Sequence, residues 1–510
     1  MAGRYDAIII GGGHNGLVCA AYLARAGRRV IVLEACEHLG GAAHTAEFHP
    51  GFKVSACAHL ATALHPRIAR DLKLARHGLA YAATAMKTVA LDGDGALAID
   101  GAAGGDGQAL AAFRARMERF AATLRPLLTR APPRLGSSDW GDRLGLARIG
   151  WAIRRLGRND MREFMRIIGM NVADLVDETF ANDLIKGAIA FDAVLGNRAG
   201  PRSPGTVMTL LHRLAGMARS GPSLPHGGMG AVGRALAIAA SSAEIRTGAR
   251  VARIVVEADR AVGVALDDGA VIAGKCVISN ADPRTTLLDL LGPEHLDIGF
   301  TRRLRHIGMT GIAAKLHLAL DGLPRIPGLA ATPDLIGARL LVAPSVGYVE
   351  TAFNASKYRA CSTAPAIEIT IPTLHDPSLA PPGKHVLSAI AQYAPHDLDG
   401  GWDQARDAFA DRVMATLAEH APDIAERTIA RQLLTPADLE RDFNLAGGHW
   451  HHGELALDRM LMLRPLPGCA QYATPLAGLY LCGAGSHPGG GVSGVPGYNA
   501  ARRVLAGETA

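Results

Sequence analysis

The chain opens with a run of branched aliphatics, Tyr5-Asp6-Ala7-Ile8-Ile9-Ile10, stopped by Gly11, which is the pattern of a short buried strand. Leu17–Arg25 carries small and apolar residues suited to a helix packed closely on a sheet, with Gly27 as its terminator. A second aliphatic run, Arg29–Leu33, ends at Glu34. Strand, glycine turn, helix and strand within about 30 residues make one βαβ unit.

Beyond residue 80 the period changes. Lys87–Asp100 alternates as a strand pair turned at Asp92–Gly95, and Gln108–Arg130 has helical periodicity until Pro132 and Pro133 break it. From about 145 to 220 the chain reads as amphipathic helices, including Met161–Met170 and Asn182–Ala193, with Met161, Phe164, Met165 and Met170 expected first of all as core residues. Residues 243–280 return to β character, with a hairpin turn at Asp267-Asp268-Gly269. Strands are expected in 310–320 and 364–394, the second stretch split by the turn Asp376–Gly383; Trp402–His420 reads as a helix. A last strand, Leu479–Cys482, a glycine-rich loop and a helix from about Val495 to Ala506 end the pattern. Sheet elements at both ends and in the middle, with helical blocks between, predict an α/β domain interrupted by a second one, as the 510-residue length allows.

Composition narrows the function classes. Hydrophobic residues at 49% and charged residues at 20% fit a core-forming globular protein. The net charge of +6 is spread in short pairs such as Arg154-Arg155, without the dense basic stripe of a nucleic-acid binder. No nucleic-acid partner is therefore expected, while an anionic cofactor or a peripheral membrane contact fits the balance. The seven cysteines stand singly with no CxxC, which excludes a vicinal dithiol and zinc spacing and points to reduced thiols in a cytoplasmic compartment. No signal peptide and no spanning segment are read from the pattern.

Three stretches fit GxGxxG: Gly11–Gly16, Gly228–Gly233 and Gly489–Gly494. Only the first has a strand before it, a helix after it and an acid at the end of the next strand. There one glycine permits the tight turn, one lets a pyrophosphate approach the backbone, and one lets the helix pack on the strand. The helix N-terminus offers unpaired N–H groups to the phosphates. Glu34 suits a ribose hydroxyl and disfavours a 2′-phosphate, so FAD and NAD both fit and NADP does not. The middle match follows Pro222 and Pro225 and reads as a structural turn into a helix.

The segment from Tyr5 to His59, with its GHNGL turn (13–17), GGAA (40–43) and following PGF (50–52), resembles the phytoene-desaturase-like branch of FAD-dependent oxidoreductases. Within that branch it is similar to the pyridine nucleotide-disulfide oxidoreductase domain-containing protein 2 group. LPHGGMGAVGRAL (224–236), the stretch 245–283, GGHWHHGELALDRMLMLRP (447–465) and LYLCGAGSHPGGGVSGVPGYNAA (479–501) resemble the family's segments in the family's order.

The resemblance implies a glutathione-reductase-type, Rossmann-like FAD-binding domain interrupted by an α+β substrate domain with a helical block. FAD-binding parts are expected at 1–80, 221–295 and 446–510, and substrate-domain parts at 81–220 (mostly helical) and 296–445. Gly11, Gly13, His14, Asn15, Gly16, Glu34 and Ala35 would hold the ADP half of FAD. Gly40, Gly41 and Ala42 would pass the pyrophosphate and flavin, and Val251 would meet the adenine. Gly483 and Ala484 would sit by the ribityl phosphate, with Gly494 and Val495 at the flavin's pyrimidine edge. Relatives often carry arginine and aspartate where this chain has Ala42 and Ala484.

For catalysis the resemblance and the chemistry single out His59 and His452 as acid–base or orienting groups. No metal site is expected, because HxHH at 449–452 has no carboxylate partner motif. The expected activity is hydride transfer between a C–H centre of a hydrophobic small molecule and flavin N5, with desaturation as the default direction. An NAD(P)H-dependent reductase or saturase and a carotenoid-ketolase-like enzyme stand beside it. So does a non-catalytic escort protein on the same fold, against which the intact glycines and Glu34 argue. The motifs leave the oligomeric state undetermined.

Overall fold

Strands whose residues are aliphatic on both faces must be covered on both faces, and the first strand is placed accordingly. In the computed structural model, which describes residues 4–99, 105–218 and 220–507, Tyr5–Ile10 lies inside a seven-stranded sheet. It pairs in parallel with Val30–Leu33 on one side and Val271–Ser279 on the other. A parallel pair needs a crossover, and the helix His14–Arg25 supplies it. That helix starts three residues before the expected Leu17, because the turn residue Gly13 already serves as its extended N-cap (φ −67°, ψ 169°).

Glu244–Arg246 extends the parallel layer beyond Val30–Leu33, and Leu479–Leu481 pairs with the end of Val271–Ser279. One sheet thus gathers strands from the start, middle and end of the chain. The closing helix, Val495–Gly507, packs on His14–Arg25 so tightly that a Cβ on Gly497 would stand 2.0 Å from the Asn15 carbonyl oxygen.

The stretch 243–280 holds two reversals where the sequence predicts one. Val251–Glu257 and Arg260–Leu266 are joined at Ala258-Asp259, both left-handed (φ 47° and 55°), before the expected turn at Asp267–Gly269. A two-residue turn of that hand favours Asn-Gly or Asp-Gly, and Ala-Asp carries a weak signal. Asp100, the last residue of the predicted early strand pair, lies outside the described residues; the pair itself forms as Thr88–Asp92 and Gly95–Ala98.

A second seven-stranded sheet runs in the order Thr428–Leu434, Ala313–Leu320, His385–Gln392, Ala366–Thr370, Arg339–Val342, Thr88–Asp92, Gly95–Ala98. Helices Gly105–Leu128, Asp183–Val194 and Thr206–Gly216 share a hydrophobic core with its strands through Ala90, Leu341 and Ala366. Gly187 sets the closeness of that contact: a Cβ there would stand 2.0 Å from the Ala343 oxygen. In the helical block Phe164 is buried, whereas Met165 is 57% exposed, correcting the expectation that it is a core residue. The ten-residue helix Arg158–Ile167 rests on Phe164 and Ile167, and Met165 falls on its other side. All seven cysteines are free.

Candidate active site

The glycine turn is built by contacts that leave no room for side chains. Gly11 has a left-handed φ of +93°, and a Cβ on Gly16 would stand 2.1 Å from the Gly11 carbonyl oxygen. The Gly-Gly turn closes over it: the Gly40 N–H donates to the Gly12 carbonyl at 2.9 Å, and a Cβ on Gly41 would meet the Gly13 Cα at 3.2 Å. Glu34 is buried, with one carboxylate oxygen accepting from the Gly12 N–H at 2.6 Å and the other from the Cys36 N–H at 2.8 Å. Two backbone donors therefore fix the carboxylate while it still lines the cleft.

That cleft has a volume of about 300 Å³. Of the sequence-predicted cofactor residues, Gly11, Gly13, His14, Asn15, Glu34, Ala35, Gly41, Ala42, Val251 and Ala484 line it. Gly16, Gly40, Gly483, Gly494 and Val495 stand behind the lining. Gly40 is packed against the Ala43 oxygen, Gly483 against the Asn280 oxygen and Gly494 between Val18 and Ile68. Val495 is buried at the start of the last helix.

His14 Nε2, Asn15 Oδ1 and His452 Nδ1 are buried without a hydrogen-bond partner, and all three residues line the cleft. Buried polar atoms are normally satisfied, so these three mark where a polar ligand belongs. A glycine-lined cleft with a fixed carboxylate at one end and orphaned donors and acceptors further along fits FAD. Burial pushes the His14 imidazole down to about 4, with His452 adding to the effect, so His14 is neutral at physiological pH.

A second chamber of about 130 Å³ shares His14, Ala42 and Trp450 with the cleft. His59 lines it. Its Nδ1 is 2.8 Å from Lys315 Nζ and its Nε2 is 3.1 Å from the Thr370 hydroxyl. Burial, then the Lys315 ammonium, hold His59 well below the usual histidine range. Burial also pushes Lys315 down to about 8. The structure separates the two catalytic candidates: His59 faces the chamber and His452 the cleft.

The next cavity, about 320 Å³, lies between the second sheet and the helical block, lined by Leu110, Phe113, Met117, Ile189, Leu210 and Met217 among others. Arg213 lines both this cavity and the chamber. Cleft, chamber and apolar cavity thus follow one another across the interface of the two sheets.

A model of the family described as flavin containing amine oxidoreductase matches residues 16–505. The chain belongs to that family. It is 36% identical to pyridine nucleotide-disulfide oxidoreductase domain-containing protein 2 of Mus musculus, over 98% of this chain and 93% of that one. It is 28% identical to a lycopene-forming phytoene desaturase of Pseudescherichia vulneris, over 64% of this chain and 63% of that one. In fold it resembles the crystal structure of an oxidoreductase from Methanosarcina mazei, with a TM-score of 0.61, 19% identity and 99% and 100% of the two chains covered. The protein is an FAD-dependent oxidoreductase with the glutathione-reductase-type fold.

Several lining residues of this flavoprotein escape sequence reasoning. Asn280 packs on Gly11, Gly13 and Gly16 and lines the cleft; it sits in the SNADP segment that carries the resemblance, without a chemical signal of its own. Phe443, Asn444 and Leu445 reach the cleft from a helix end more than four hundred residues beyond Glu34, with no motif at all.

Arg464 matters most among the residues outside the cavities. It is fully buried, and its guanidinium donates to the carbonyls of His451, Gly453, Glu454, Arg459 and Ala484. Burial pushes it down to about 9. It ties the loop bearing His452 to the C-terminal strand end bearing Ala484. Among the described residues no group of histidine, cysteine and carboxylate side chains has metal-binding geometry, although His449, His451 and His452 lie close together.

Proposed function

We propose that this flavoprotein oxidises a C–H centre of a hydrophobic small molecule, with desaturation as the default direction. The observation that carries the reading is the succession of neighbouring cavities, in which the glycine-lined cleft shares His14, Ala42 and Trp450 with a chamber and the chamber shares Arg213 with an apolar cavity. Gly11, Gly13, His14, Asn15 and Glu34 would hold the ADP half of FAD, and Ala42 and Ala484 would pass the flavin half. Bound FAD supplies the hydride acceptor that the protein lacks. His59, neutral, would take the proton released from the adjacent carbon, and Glu368, 3.9 Å from its Nε2, would offset the positive charge that the Lys315 ammonium disfavours. His452 would orient the cofactor from the cleft. A relative named for desaturating phytoene supports both the direction and the apolar substrate class.

The test is anaerobic. Purified protein should be yellow, and an apolar C–H donor should bleach the flavin while NADH and NADPH do not. Bleaching by a nicotinamide would turn the reading to a reductase, and a colourless chain that takes up no FAD would remove it.

We also infer a peripheral contact with an anionic lipid surface. Among the described residues no helix is long and apolar enough to cross a membrane. The helix Trp140–Arg154, however, exposes Trp140 (73%), Leu144 (49%) and Trp151 (62%) at spacings that share one face. Residues 140–158 carry Arg143, Arg148, Arg154, Arg155 and Arg158 against Asp142, which is buried and paired with Arg134. Tryptophans with flanking cations are the composition of an interfacial helix. Vesicles containing phosphatidylglycerol should sediment the protein and pure phosphatidylcholine vesicles should not. The double substitution Trp140→Ser and Trp151→Ser should lower binding at least about tenfold. Equal binding to both vesicle types would overturn the inference.

A further inference from the structure

We infer, building on the oxidoreductase reading above, that the substrate carries a carboxylate that seats on Arg213, with its apolar body in the larger cavity. Arg213 projects from the helix Thr206–Gly216 and lines both the chamber beside His59 and the apolar cavity beyond it. Arg213 therefore stands where the two cavities adjoin.

The partners of that guanidinium are incomplete. Arg213 approaches Asp192 at 3.2 Å, but Asp192 already accepts from Arg339 at 2.6 and 3.3 Å. Glu368, the other carboxylate nearby, accepts from Arg339 Nε at 2.7 Å. The Nε of Arg213 is buried with no partner. At the far side of the cavity the charges are settled: Glu118 accepts from Arg125 at 2.6 and 2.7 Å, and Arg114 donates to the Ile99 carbonyl.

Charge decides which head group fits. Around the junction stand the cations Arg213, Arg339 and Lys315 and the anions Asp192 and Glu368. Lys315, at about 8, is mostly protonated at neutral pH, and His59 is neutral. The set therefore carries an excess of one positive charge, with Arg339, Lys315 and Glu368 buried and Arg213 and Asp192 about a quarter exposed, and an anion that joins it offsets that excess. A carboxylate matches the two parallel N–H donors of a guanidinium edge. A hydrocarbon would leave the Nε unpaired, and an ammonium head would add to the excess. Phe113, Met117 and Leu210 beyond Arg213 then select an aliphatic or polyene body.

The probes are decanoate, 1-decanol and decylamine, titrated into the FAD-loaded protein by calorimetry and by the shift of the flavin absorption. Decanoate should bind at least about tenfold tighter than decanol, the scale of one charge-assisted pair. Arg213→Gln should bring decanoate down to the decanol level with FAD content unchanged, and Arg213→Lys should keep part of the preference. Equal affinity for acid and alcohol, preference for the amine, no binding of any probe, or a preference surviving in R213Q would each overturn the inference. The wild-type comparison stands even if a variant does not fold. FAD content and bleaching report separately on the oxidoreductase reading, because calorimetry detects decanoate whether or not the flavin is redox-active.

Discussion

At the scale of single residues the chemistry is carried by groups whose environment removes their freedom. Glu34 is the plainest case: two backbone amides hold its carboxylate, and the cleft takes what remains of its accepting capacity. Glu34→Ala leaves the Gly12 and Cys36 N–H groups without acceptors, at about 1–3 kcal/mol each. FAD affinity should fall at least tenfold in a fluorescence titration, with Glu34→Gln between the two. The buried histidines give a pH dependence with a defined sign. Burial holds His14, His212 and His487 down to about 4 and His449 to about 3, while the unfolded chain binds protons near the ordinary value. Their stabilising contribution is complete above about pH 6.5 and is lost as pH falls toward 4. Each titrating histidine should remove about 1.4 kcal/mol per pH unit in that window. A thermal melt series from pH 7.5 to 4 should show Tm falling steeply below 6.5; a flat profile would show that these rings are not buried as described. The place of Glu34 at the cleft is legible in the sequence from its spacing to the glycines. That of Lys315 is not, since nothing in the alternating run Ala313–Leu320 distinguishes an inward lysine from an outward one.

Elements come next, and here two contacts govern how the layers meet. Gly187 lets the helix Asp183–Val194 lie against the Ala343 carbonyl. Gly187→Ala forces a shift there and should lower stability by about 1–3 kcal/mol in denaturant unfolding, with the apolar cavity loosened. Arg464 holds the segment from His451 to Arg459 against Ala484 through carbonyls alone. Arg464→Met fills the volume but leaves several buried carbonyls unpaired. A loss of at least about 3 kcal/mol is expected, together with weaker FAD retention; an unchanged Tm would remove the role given to Arg464. The sequence made the first βαβ unit, the turn at Asp267–Gly269 and the closing helix legible, because each carries a local signal of period or turn chemistry. It missed the reversal at Ala258-Asp259 for want of a glycine, and it placed Met165 in the core because a short helix does not declare which face is covered.

Over the whole molecule the cleft collects residues from the first turn, the strand ending at Glu34, the Gly40-Gly41 turn, the segment around Val251 and Asn280, the 440–452 stretch and Ala484. A ligand that bridges so many distant segments stabilises the folded state and not the unfolded one. FAD at a hundred times its Kd should add about 2.7 kcal/mol, so stripping the cofactor should lower Tm by a few degrees and readdition should restore it. The sequence by itself determined the glycine turn, the acid that stands beside it and the α/β class, because these depend on spacings within about 30 residues, over which backbone geometry leaves little choice. Only the tertiary structure decided that His59 and His452 face different compartments. It alone aimed Lys315 and Glu368 inward and stood Arg213 between two cavities with one donor unpaired. Those facts depend on which strands become neighbours across hundreds of residues, and on the balance of charge and burial that appears once they do.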